Sequence, residues 1–168
     1  EPLVNYSFTE LLSGLGYIVF YGAKTQVGYI LTENIIESDD VETSYDLPAS
    51  AFPLVLTTAG TIEFTSSTLK YQRIIGGKCY LNIPGFIAFG STGDKAIKFE
   101  VTLQKIDVNN VASNLAAAVT SNQLNRGNAS TNWDHMQNFL IEITVANQVL
   151  KVGEKINLKV VMKGATDA

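Results

Sequence analysis

Between Asn138 and Lys163 the chain alternates apolar and polar residues almost without a break. Phe139, Ile141, Ile143 and Val145 alternate with Leu140, Glu142, Thr144 and Ala146. After Val152-Gly153-Glu154, the residues Ile156, Leu158, Val160 and Met162 alternate with Lys155, Asn157, Lys159, Val161 and Lys163. Successive side chains of a strand point to opposite faces, so a period of two gives one apolar and one largely polar face. The pattern reads as a β-hairpin of a half-buried antiparallel sheet, with the turn at Gly153-Glu154. A helix cannot use it, because a helical apolar stripe repeats every 3.6 residues.

Other stretches repeat this signal. Gly16 to Tyr21 and Gly28 to Ile36 read as strands around a turn at Gly22 to Gln26. Phe52 to Thr57 and Thr61 to Thr68 flank Thr58-Ala59-Gly60, a hairpin-length connection. Lys78 to Ile83 follows Gly76-Gly77, a candidate bulge, and Pro84-Gly85 reads as a turn or strand end. Ala96 to Ile106 alternates cleanly, with Ile97, Phe99, Val101 and Leu103 on one face. Many short strands with frequent turn signals predict an all-β, antiparallel two-sheet sandwich, jelly-roll-like in type. An immunoglobulin-type sandwich lacks its Cys…Trp…Cys arrangement here.

Residues 1–15 read as a weakly patterned N-terminal arm or entry segment, and residues 16–168 as a single β-sandwich domain. Within it, about residues 107–137 stand apart as a long insertion, rich in Asn and Ala and poor in charge. It is expected to be irregular or partly helical, because Leu115 and Val119 fall at helical spacing within Val111 to Val119. A loop of this length on a compact β domain is usually functional or disordered. Its recognition candidates are Asn125, Arg126, Asn128, Asn132, Trp133 and His135, since Arg and Trp are favoured interface anchors.

The composition excludes several functions. The net charge is −4, and no Lys/Arg block is interleaved with aromatics. Nucleic-acid binding needs such clusters to neutralise phosphates, and an anionic membrane needs the same, so neither partner is expected. No apolar run approaches the roughly 18 residues that span a bilayer. One cysteine, Cys79, allows no internal disulfide, and it reads as a buried thiol in a strand. One His and one Cys cannot build a zinc site of the usual kind. Asp39, Asp40, Glu42 and Asp46 offer oxygen ligands, but their order is not that of an EF-hand, and a solvated acidic loop explains them.

Nothing in the sequence marks a catalytic constellation or a cofactor. His135 has only its neighbour Asp134 as an acid, and adjacent residues do not give triad geometry. Glu63, Glu100 and Glu142 fall on the polar faces of strands, where solubility alone places acids. Gly76-Gly77 lacks the Lys-Ser/Thr of a phosphate loop. The expectation is a non-enzymatic protein. The charged fraction of 17% lies below the usual share of about 25%, as suits a surface that meets other protein or, equally, a neutral extracellular surface.

The string Val149-Leu150-Lys151-Val152-Gly153-Glu154-Lys155-Ile156-Asn157-Leu158 resembles the late hairpin of trimeric jelly-roll domains of the C1q/TNF type. Tyr80-Leu81-Asn82-Ile83-Pro84-Gly85-Phe86 is compatible with that pattern. In style, residues 16–163 are also similar to structural proteins of tailed bacteriophages and related viruses, with their low-charge, Asn/Thr/Ser/Ala-rich surfaces. The resemblance implies a virion protein: a capsid decoration, minor capsid or head/tail accessory component. Its partners would be itself, as a homotrimer, and other virion proteins. The alternative it implies is an extracellular glycan- or receptor-binding module of the C1q/TNF or lectin type. The insertion at 107–137 departs from the compact C1q/TNF pattern.

Overall fold

A computed structural model describes residues 19–26, 28–33, 45–87, 93–126 and 135–167. The described chain is all-β, with ten strands. These are β1 (Tyr21–Thr25), β2 (Gly28–Thr32), β3 (Thr57–Ser66), β4 (Arg73–Ile87) and β5 (Lys95–Ile106). They continue with β6 (Ala112–Asn114), β7 (Val119–Thr120), β8 (Leu124–Arg126), β9 (His135–Leu150) and β10 (Lys155–Thr166). The large sheet has the order β1-β2-β3-β10-β5-β6, and β7 and β8 also pair with β5. The small sheet is the pair β4-β9. The expected antiparallel pairing holds throughout except at β2–β3, which run parallel and make the large sheet mixed.

The alternation in β9 and β10 sets the core. Along β9, Phe139, Ile141, Ile143 and Val145 are buried, while Leu140, Glu142, Thr144 and Ala146 between them are exposed. Along β10, Ile156, Leu158 and Val160 are buried on the inner face. The two strands do not form the hairpin that the sequence suggests. β9 pairs with β4, and β10 lies between β3 and β5 in the other sheet. The reason is that each strand carries a full apolar face. Placed in opposite sheets, the two faces bury each other; side by side, both would still need a cover. Phe139 meets Phe99 of β5 edge-to-face, with ring centroids 4.9 Å apart. The chain also crosses between sheets from β3 to β4 and from β4 to β5, as expected of a two-sheet sandwich.

Four local expectations change. Val111 to Val119 is extended rather than helical: the main-chain N–H of Leu115 donates to the carbonyl of Leu103, and that of Ser121 to Phe99. The free edge of β5 offers backbone groups that need partners, and these bonds outweigh a helix too short to stand alone. Leu115 thereby enters the core. Thr58-Ala59-Gly60 is not a hairpin turn but lies inside β3. Gly22 to Thr25, read as a turn, belongs to β1. Pro84-Gly85 continues β4 without a break. Pro84 is tolerated because β4 bonds only β9, and Gly85 is required because a Cβ there would meet Phe99 and Phe139 within 3.0 Å. The bulge expected at Gly76-Gly77 is present, where the β4–β9 register shifts and Gly77 has φ +91°. Cys79 is half-buried on β4, and burial pushes its thiol pKa up.

Replacement at two adjacent β9 positions tests this geometry. Phe139→Ala should cost about 3–5 kcal/mol in urea unfolding. Leu140→Ala, one residue along and on the outer face, should stay within about 0.5 kcal/mol.

Candidate functional site

The outer face of the large sheet is polar and internally satisfied. Across four strands one row is hydrogen-bonded side chain to side chain. Thr65 Oγ1 donates to Asn157 Oδ1 (2.8 Å), Asn157 Nδ2 to Gln104 Oε1 (3.0 Å), and Gln104 Nε2 to Asn114 Oδ1 (2.9 Å). Asn157 is 1% exposed. Beside this row lies a shallow trough of about 370 Å³, whose lining includes Thr58, Thr61, Glu100, Thr102, Gln104 and Lys163.

The three strand glutamates are each tied to a lysine on a neighbouring strand. Lys163 Nζ donates to Glu100 Oε2 (2.8 Å), Lys78 pairs with Glu142 (2.9 Å), and Lys159 with Glu63 (3.8 Å). The hydrogen bond from Lys78, and then that from Tyr80, holds the Glu142 carboxyl below the usual range. The contribution of that pair is therefore present above the ordinary carboxylate pKa and fades as pH falls through the lowered value. Among the described residues no group of His, Cys, Asp and Glu converges to hold a metal ion.

Of the recognition candidates named from sequence, Asn125, Arg126 and His135 fall among the described residues. Asn125 is exposed on β8 opposite Ala96 and accepts a hydrogen bond from Gln123 Nε2 (2.6 Å). Arg126 ends β8 opposite Lys95. His135 begins β9 opposite Ile87, in the other sheet. Asn128, Asn132 and Trp133 lie outside the described residues, as do Asp39, Asp40 and Glu42 of the acidic loop.

The concentrated surface feature lies at the opposite end of the sandwich, where β2, β3, β5 and β9 finish and β1, β4, β6 and β10 begin. Tyr71 (75% exposed), Ile74 (73%), Val108, Val111, Val149 and Val152 all stand out to solvent there. Val19, just before β1, is exposed at the same end. These side chains come from three connections and the strand ends beside them, and hydrogen bonds fix each connection. Asp107 Oδ1 accepts from the N–H of Asn109 and of Val111, both at 2.8 Å, which closes the turn that carries Val108 and Val111. Glu154, 5% exposed, accepts from the N–H of Lys151 (2.7 Å) and closes the turn that carries Val152. The N–H of Leu69 donates to the Glu154 carbonyl, and that of Gly153 to the Leu69 carbonyl, so the segment before Tyr71 is held to the same turn.

Basic residues lie at the same end as these apolar side chains. Lys70, Arg73, Lys105, Lys151 and Lys155 gather there, against Glu33, Asp107 and Glu154. Arg73 pairs with Glu33 (3.2 Å) and Lys105 with Glu154 (3.4 Å). Sequence reasoning missed this grouping because its members lie far apart along the chain. Val152 stands in the turn expected at Val152-Gly153-Glu154, whereas Val108 and Val111 fall in the insertion expected to be irregular or partly helical.

No protein-family model matches the chain, and no curated protein matches it. Glu154→Ala should cost about 1–3 kcal/mol in urea unfolding, because it strips a buried acceptor from the Lys151 N–H and from Lys105. Glu142→Ala, which breaks an exposed pair, should cost far less in the same assay.

Proposed function

We propose that this chain is a non-enzymatic virion structural protein that acts by assembly. It would serve as a capsid decoration, minor capsid or head/tail accessory subunit. It would associate with copies of itself, as a homotrimer, and with other virion proteins. The observation that carries this reading is the apolar end. Large exposed apolar patches on a soluble protein mark sites of contact, whereas scattered ones do not. Tyr71, Ile74, Val108, Val111, Val149 and Val152 are gathered at one end and held on hydrogen-bonded turns. The low charge of the chain points the same way.

Light scattering on a size-exclusion column over a dilution series tests this reading. A closed oligomer is expected, with the trimer mass. Tyr71→Ser combined with Val152→Ser should shift it to monomer while the melting temperature stays within a few degrees. A wild-type monomer at all concentrations would sink the self-assembly reading.

One observation favours the alternative glycan-binding reading: the trough on the large sheet, where hydroxyls, amides and charged groups lie together. Among the described residues its lining carries no aromatic face on which a sugar ring stacks. Titration calorimetry with oligosaccharides should therefore give no saturable heat; a saturable signal lost in Thr102→Val would favour the alternative.

A further inference from the structure

We infer that the apolar end is covered by residues 1–18 of a neighbouring copy, so that assembly proceeds by exchange of N-terminal arms. This rests on the assembly reading above. Residues 1–18 lie outside the described part of the chain, and their sequence complements the end in two ways. They are apolar, with Phe8, Leu11, Leu12 and Leu15 among them. They carry Glu1 and Glu10 and no Lys or Arg, whereas Lys70, Lys151 and Lys155 lie at the apolar end. An acidic apolar segment and a basic apolar surface attract each other and exclude water together.

Placement supports the same pairing. The arm joins the sandwich at Val19, which itself lies at the apolar end. Val19 precedes β1, the outermost strand of the large sheet among the described residues. In a cyclic oligomer with the sandwiches side by side, every apolar end lies on one side of the ring, next to the root of the adjacent arm. Eighteen extended residues reach about 60 Å, enough to cross to the next subunit. Each copy would then give one arm and receive one, which closes the ring and leaves no apolar end uncovered.

Zero-length carbodiimide coupling of the full chain tests this, with isotopically light and heavy copies mixed before assembly. The expected products join Glu1 or Glu10 of one isotope to Lys70, Lys151 or Lys155 of the other. Glu10→Lys should weaken self-association about tenfold, and adding Lys151→Glu should restore it. The swap needs no deletion, so it remains informative if a truncated chain fails to fold. Links confined to a single isotope would show that the arm covers its own end, and would overturn the exchange. An oligomer without arm-to-lysine links would overturn the exchange and leave the assembly reading standing. A monomer without such links would overturn both.

Discussion

The crossing at Lys151 to Glu154 is the constraint on which the sandwich depends. It carries the chain from β9 in the small sheet to β10 at the centre of the large one, and buried Leu150 and Ile156 stand on either side of it. Gly153 takes φ +87°, which side chains with a Cβ rarely adopt. The Glu154 carboxylate binds the Lys151 N–H and receives Lys105, the last inward-facing residue of β5. The apolar stem of Lys105 thus extends the row of Ile97, Phe99, Val101 and Leu103, and its charge is neutralised at the edge of the core. Leu69, bonded to the same turn through its main chain, plugs the core from above. One short segment sets the spacing of the sheets, closes one end and presents Val152.

The polar row on the outer face has a different task. β10 is flanked on both sides, so its outer face is deeply shielded, and Asn157 sits there almost without water. Its amide is satisfied only when Thr65 and Gln104 stand opposite. A two-residue slip would bring Lys155 or Lys159 to that position and leave the partner amides unmatched, at a cost of about 1–3 kcal/mol per buried group. The apolar face alone does not resist such a slip, because Ile156, Leu158 and Val160 are interchangeable in kind. The row fixes the register that alternation leaves open.

What the sequence discloses follows from the range of the forces involved. Alternation is local, so the inward and outward faces of β5, β9 and β10 were legible, as was the bulge at Gly76-Gly77. Pairing is not local. Nothing near Gly153 says that the strands on either side join different sheets, because that depends on Phe99 waiting opposite Phe139. Leu115 and Val119 fit a helical spacing equally well, and only the free edge of β5 decides for the extended form. Pro84-Gly85 carries the usual mark of a turn. It is a strand because the Phe99 and Phe139 rings need the space that a missing Cβ leaves. The basic residues at the apolar end were hidden for the same reason: Lys70, Lys105 and Lys151 come to one end only when three connections meet.

The exposed apolar residues differ in how much the fold itself explains. Tyr80 and Leu140 lie on strands of the small sheet, where aromatic and branched side chains favour the extended backbone and cover their neighbours. Val108, Val111 and Val152 have no such reason. The Asp107 turn is closed by the carboxylate and by main-chain groups, and the Lys151–Glu154 turn by Glu154 and Gly153. Neither turn needs valine, and polar residues would hold the same geometry at lower cost in exposed apolar surface. Val108 lies against Gly153, so the two turns touch and their valines form one surface rather than separate points. Residues that the local structure does not require, joined across hydrogen-bonded turns, are the observation on which the assembly proposal rests.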